Sequence, residues 1–444
     1  MSRIAYLFAE ANRSVYRSGG DSTHVRAISR ALKENGHEVC ILAASRGKTH
    51  DPTGPPVHEL APRVTAALTR RSRQRDVVYH QEHSSPTAAD EAKQTKISLT
   101  PAAVARDIAR AAWWQIWNAY FYRRARQVIM HERPDFLYER YVCGTSVGAK
   151  LAQEFRLPLI IEMNTSYTFP SEWWAAHSAI APWIFQRLER RLGEAADRIV
   201  AISTYLRDYL ISTGVTKDKI VVMYNAADVD RFRPQPNEAS RVRSDYGFDG
   251  QLVIGFAGSL KQWHGVDVLI RSLKISLKEI PSLRLLIVGD GPLRHSLEAL
   301  ARDEGVADAV VFTGSVAYDA VPAYISAMDI AVSPAPRFPK LHASPIKVFE
   351  YMAAARPVVA ADYSDISAVV EDHSNGLLVR PGDENQLAQA ILELASHSEL
   401  RARLGQAARV TLEEGYTWRR NAERILALFE EVKQRNALRY PTEK

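Results

Sequence analysis

Cysteine is nearly absent: Cys40 and Cys143 are the only two in 444 residues. So distant a pair supplies neither a disulfide framework nor a metal knuckle. A run of about 18 apolar residues is also missing, which excludes a helix that spans a bilayer. The opening stretch is apolar only from Ile4 to Ala9 before meeting Glu10, so it reads as a first strand and not as a signal peptide. A cytoplasmic protein is expected. No Walker lysine loop and no Gly-x-Ser-x-Gly elbow occurs. Gly19-Gly20 lacks the Gly-x-Gly-x-x-Gly spacing of a nicotinamide site.

What is present is an ordinary globular composition, 46% apolar and 24% charged, which excludes a mainly disordered or fibrous chain. The length suits two or three domains. The net charge of +6 is unevenly spread. Residues 1–220 carry 31 Lys+Arg against 22 Asp+Glu, and the remainder 26 against 29. A basic first half predicts an anionic partner: a phosphorylated ligand, an anionic membrane surface or nucleic acid.

Strand-like and helix-like segments alternate. Arg3–Ala9, Glu38–Ala44, Phe136–Tyr138, Leu159–Glu162, Arg198–Ser203 and Ile220–Met223 read as strands, and His24–Asn35 as a helix stopped by Gly36. Residues 45–100 show little periodicity and contain the basic run Arg70-Arg71-Ser72-Arg73-Gln74-Arg75; they read as an insertion or mobile loop. A long helix follows from Pro101 to about His131. The rhythm resumes with strands at Leu252–Phe256, Leu283–Val288, Val310–Thr313, Ile330–Ser333 and Pro357–Ala360, and helices at Val266–Ile280, Tyr318–Ala327 and Ile346–Ala355. Two doubly wound α/β domains fit best, with a ligand at the carboxyl ends of their strands.

Several segments then carry a resemblance. They are Gly19-Gly20 with His24, Ala196–Ser203, Val221–Asn225 with Asp228–Phe232, Ile254–Ser259, Leu286–Pro292, Phe312–Val316 and Ser344–Ala353 before Arg356-Pro357. In this order and spacing the set resembles the retaining GT-B glycosyltransferases of family 4, over nearly the whole chain except about 45–130. The resemblance implies a GT-B fold: two Rossmann-like, doubly wound parallel-sheet domains facing a central cleft. Residues 1–225 would be the acceptor-binding domain with a divergent insertion at about 45–130, and 226–250 a linker. Residues 251–415 would bind the nucleotide sugar, and 416–444 would form a helix crossing back to the first domain.

The site residues follow from the same resemblance. On the donor side it implies Gly20, Gly258, Ser259, Lys261, His264, Val316, Ile346, Lys347 and Glu350. Glu350 would take the ribose hydroxyls, although it also reads as an exposed helix carboxylate. Lys347, in the first turn of a helix where the dipole disfavours a cation, makes sense with a phosphate beside it. Three positions depart from the pattern: His342 stands where the first of two glutamates is usual, and Ser259 and His264 replace the Arg and Lys of the phosphate loop. The catalytic candidates are Arg140, Glu162, Asn164 and His342; an Arg140 salt bridge and an idle His342 are the plain alternatives. His24, Glu139 and Trp173 are candidates for the acceptor. Asp228-Val229-Asp230 spells a metal-binding Asp-x-Asp but falls in the linker entry, so no metal is expected there.

The activity implied is metal-independent, configuration-retaining transfer of a hexosyl unit from a nucleotide diphosphate sugar to a hydroxyl acceptor. A UDP-sugar comes first and a GDP-sugar next. The acceptor would be a sugar, a lipid-linked group or a small molecule in glycan, glycolipid or natural-product synthesis. No cofactor and no nucleic acid is expected. Trp113 to Phe121 with Arg123, Arg124 and Arg126 either touches a membrane or caps the core. Two rival readings are a nucleotide-sugar sensor without turnover and a polyanion- or membrane-surface-binding protein.

Overall fold

The computed structural model describes residues 1–11, 14–16, 20–47, 51–61, 101–142, 144–166, 181–337, 346–363 and 365–439. By contact the chain divides into one unit of Met1–Met223 with Arg419–Lys444 and a second of Tyr224–Trp418. Each is a parallel sheet with helices between its strands.

The first unit has strands β1 (Arg3–Phe8), β2 (Glu38–Ala43), β3 (Val57–Glu59), β4 (Phe136–Arg140), β5 (Leu159–Met163), β6 (Arg198–Ala201) and β7 (Ile220–Val222). They lie in the order β3-β2-β1-β4-β5-β6-β7. Strands such as β4 and β5 are buried at every position, because a parallel sheet is covered on both faces and needs apolar residues on both. The strand order reverses between β1 and β4, so the loops leaving these two strands diverge and open a crevice at their carboxyl ends.

The second unit has β8 (Leu252–Ala257), β9 (Leu283–Val288), β10 (Val310–Gly314), β11 (Ile330–Ser333), β12 (Val358–Ala361) and β13 (Leu377–Val379), ordered β10-β9-β8-β11-β12-β13. Its reversal falls between β8 and β11. The loop after β8 and the helix Ile346–Ala353 after β11 therefore flank the second crevice.

Two expectations are corrected. The region 45–130 is not simply an insertion: β3 extends the sheet, and Trp117, Phe121, Ala125 and Ile129 of helix Pro101–Glu132 form an i, i+4 stripe in the core of the unit. The Trp117 indole donates to the Ala9 carbonyl at 2.9 Å. Residues 226–250 are not a linker. Helix Pro236–Asp245 buries Ala239 and Val242, Phe248 follows it into the core, and Arg243 grips the Asp329 carboxylate and the Ala327 carbonyl. The last helix, Trp418–Arg439, belongs to the first unit, where Phe429 stacks on Phe136 at 4.3 Å and Glu431 pairs with Arg198. The run 70–75 lies outside the described residues.

Candidate functional site

In the second unit the candidate donor residues converge on the β8–β11 crevice. The loops after β8 and β9 pack so closely that a Cβ on Gly289 would sit 2.0 Å from the Gly258 carbonyl oxygen, and one on Gly291 2.5 Å from that of Leu260. These glycines let two backbones meet. Beyond them the chain turns through Gln262–His264 into helix Val266–Glu279.

His264 and Lys347 meet here, with Nδ1 2.7 Å from Nζ. Burial, then Lys347 and Lys261, holds the imidazole far below its ordinary range, at about 2. With the ring neutral and the ammonium donating to Nδ1, the proton of His264 sits on Nε2, which is then a donor. Lys347 also lies 4.8 Å from the Phe256 ring centroid, and burial pulls it down to about 7 against the opposing pull of Glu350. Glu350, one turn further on, is pushed up to about 7 by burial, although the Tyr318 hydroxyl donates to it at 3.4 Å. The Arg231 guanidinium stacks 4.2 Å over Tyr318. Lys261 lies 4.7 Å over Trp263, Ser259 is exposed, Ile346 opens the helix, and Val316 is partly buried just after β10. A buried cation, a neutral imidazole donor and a helix N-terminus thus share one end of the sheet, and a carboxylate stands a turn away. This arrangement suits a diphosphate with a neighbouring diol. His342 lies outside the described residues.

In the first unit the β1–β4 crevice is organised by one carboxylate. Arg140 and Glu162 are register partners at the ends of β4 and β5, so their side chains share a face. Glu162 Oε1 accepts from Arg140 at 2.7 Å and from Asn164 at 2.8 Å. Its Oε2 accepts from Tyr138 at 2.6 Å and pairs with His24 Nε2 at 2.8 Å. His24 comes from helix Gly20–Glu34, which Gly20 opens. His24 and the other partners hold the Glu162 carboxyl far below the usual range despite its burial. Asn164 is the member that keeps partial exposure.

Glu139 is placed differently from expectation. Strand alternation turns it to the opposite face from Arg140, where it is fully buried. There it accepts the Gly148 amide in the first turn of helix Val147–Phe155, and burial pushes it up to about 7. It supports that helix and is not available to an acceptor. Trp173 lies outside the described residues. Asp228 accepts the Arg231 amide at 3.0 Å and caps a turn.

Two contributors were not expected from sequence. Tyr138 shares the Arg140 face of β4, which alternation alone would have indicated. Glu189, on helix Ala181–Ala195, accepts from Ser166 at 2.6 Å and from Tyr141, bracing the chain beyond Asn164. Nothing local in the sequence marks that partnership.

Residues 18–231 match the family described as Glycosyltransferase Family 4, and residues 251–397 match Glycosyl transferases group 1. A GDP-mannose-dependent alpha-(1-6)-phosphatidylinositol monomannoside mannosyltransferase of Mycolicibacterium smegmatis is 29% identical over 54% of this chain and 63% of its own length. The chain thus spans under two thirds of that relative. A D-inositol 3-phosphate glycosyltransferase of Acidothermus cellulolyticus is 27% identical over 94% of this chain and 86% of that protein. The crystal structure of Anabaena HepE in complex with UDP and glucose superposes with a TM-score of 0.67 at 18% identity, over 98% of this chain and 100% of that one. That likeness is one of fold. Among the described residues no helix is long and apolar enough to cross a membrane.

Proposed function

Because the chain belongs to the group 1, family 4 glycosyltransferases and has their GT-B fold, we propose that it transfers a hexosyl unit from a nucleoside diphosphate sugar to a hydroxyl acceptor, with retention and without a metal. The observation that carries this reading is the grouping of Lys347, His264 and Glu350 at the β8–β11 crevice. Lys347, the His264 Nε2–H and the first amides of helix Ile346–Ala353 hold the diphosphate, and Glu350 accepts from the ribose hydroxyls. These groups supply the positive charge that a divalent cation provides elsewhere.

In the chemical step the bond from the anomeric carbon to the diphosphate oxygen breaks, and the acceptor oxygen bonds to the same face. The acceptor proton passes to the leaving diphosphate, so no protein base is assigned. Glu162 acts through others: it fixes Arg140 and Asn164, and Asn164 and Arg140 orient the acceptor. GDP-mannose, the donor named for the mycobacterial relative, is tested beside UDP-glucose.

Peripheral membrane contact belongs to the same proposal. Ile108, Trp113 and Ile116 are exposed along the helix that also exposes Arg123 and Arg124. The rival reading, donor binding without turnover, draws on Ser259 and His264 in the phosphate loop. One experiment separates them. The protein is incubated with each sugar nucleotide and chelator, and released nucleoside diphosphate and the first-formed anomer of the sugar are followed. Release with the donor's own anomeric configuration supports the proposal. Binding with no release supports the rival, and inversion overturns the retaining assignment.

A further inference from the structure

We propose that Cys40, His58 and Glu132 form a binding site for a zinc-type divalent cation that pins β2, β3 and the end of helix Pro101–Glu132 together. Each offers one ligand atom, and the three atoms lie within 4.8 Å of one another. The topology brings them there. Cys40 and Leu42 share the helix-covered face of β2, and His58 on β3 is the register partner of Leu42, one step diagonal from Cys40. Glu132 is the last residue of the helix whose Trp117-to-Ile129 stripe packs on that same face.

His58 Nε2 stands 3.2 Å from Glu132 Oε1. Two ligands on one tetrahedral zinc, with bonds of about 2.0–2.1 Å, are about 3.3 Å apart. Yet this buried Nε2 makes no hydrogen bond among the described residues, and Cys40 is a buried free thiol. An ion pair alone would leave the thiol and the misaligned imidazole unexplained, whereas a cation uses both. The three ligand atoms, all within 4.8 Å of one another, would close to the spacing of about 3.3–3.6 Å that one tetrahedral zinc sets. A cavity of about 290 Å³ borders Cys40 and Glu132 and leaves the fourth position to water.

The chemistry selects the ion. One thiolate, one neutral imidazole and one carboxylate favour zinc over magnesium or calcium, which prefer oxygen alone. On binding, the Cys40 S–H bond breaks, its proton goes to water and sulfur bonds the metal. A dication with two anionic ligands is then neutral, which suits a buried site. The carbonyl end of the helix also favours a cation.

The location sets this apart from the transfer reaction. The cavity is lined by Arg3, Glu38, Val39 and Pro56, at the strand ends opposite to Arg140 and Glu162. His58 precedes and Glu132 follows residues 62–100, so the ion would fasten the two sides of that divergent segment to the sheet.

The test uses the full chain stripped with chelator and titrated with cobalt(II). The expected result is one cobalt per chain with a near-ultraviolet thiolate-to-cobalt band that zinc abolishes. Cys40→Ser and Cys40→Ala remove the band, Cys143→Ser keeps it, and His58→Gln and Glu132→Gln weaken cobalt binding at least about tenfold. Near-ultraviolet circular dichroism confirms that each variant is folded. A folded wild type without the band, or a band that survives Cys40→Ser, overturns the proposal. Nucleoside diphosphate binding by the stripped protein is recorded in parallel, so failure of this site and failure of the donor site read out separately.

Discussion

The Lys347 ammonium lies 2.7 Å from Nδ1 of His264, and both sit where β8 and β11 part. A cation this buried without a full counter-charge is held near its own titration point, as is Glu350 a turn away. Such groups are ready to change protonation when a charged ligand arrives.

Donor binding should therefore be strongest near neutral pH. The bound state requires charged Lys347 and ionised Glu350, each of which titrates at about 7 in the free protein. Above that value Lys347 must take up a proton to bind, and below it Glu350 must release one. Affinity then falls on both sides, approaching about tenfold per pH unit. Calorimetric titration with a nucleoside diphosphate sugar from about pH 5 to about pH 9 measures the bell; a flat profile contradicts it.

Glu350→Gln should move the basic limb of that bell to lower pH, because the Glu350 charge is what raises Lys347. It should also remove the acid limb and cost about 2 kcal/mol of donor binding, roughly thirtyfold, through the weakened ribose contacts. An unchanged Kd with an unchanged pH profile would remove Glu350 from the site.

Glu162→Gln should destabilise the protein by about 3–5 kcal/mol at neutral pH, because the buried Arg140 guanidinium loses its counter-charge. The sign with pH follows from the depressed Glu162 carboxyl. Its contribution is complete above the unfolded carboxylate value of about 4.3 and is lost as pH falls below it. Urea unfolding of both proteins should show the gap shrinking towards about pH 3; a gap independent of pH counts against the network.

Trp117→Ala should cost about 3–5 kcal/mol, while Ile116→Ala, one residue earlier, should cost under about 0.5 kcal/mol. Trp117 is 4% exposed and Ile116 is 70% exposed. Equal effects on the thermal midpoint would mean that helix Pro101–Glu132 does not pack as described.

Much of the fold was legible because parallel strands buried on both faces leave long apolar runs. The strands at Leu283–Val288 and Ile330–Ser333 match their sequence-based bounds. β3, Val-His-Glu, has a single apolar residue, and β13, Leu-Leu-Val, sits directly behind a run of turn residues, so neither stood out as a strand. Helix Pro236–Asp245 hid behind a proline that opens it and charges that cover it, features equally typical of a linker. At the site, the types and positions of Lys347 and Glu350 could be read, but not their shared titration range, which comes from burial. Alternation along β4 separates Glu139 from Arg140 and was readable; the pairing of His24 with Glu162, 138 residues apart, was not.

The central claim is a metal-independent nucleotide-sugar site built on Lys347. Its most direct measurement is binding of UDP, GDP and their sugars in excess chelator, to the wild type and to Lys347→Ala. The account predicts selective binding by one base in the wild type, unaffected by chelator, and at least about tenfold weaker binding in the variant. Equal affinity in the two proteins, or binding that appears only when a divalent cation is restored, would contradict it.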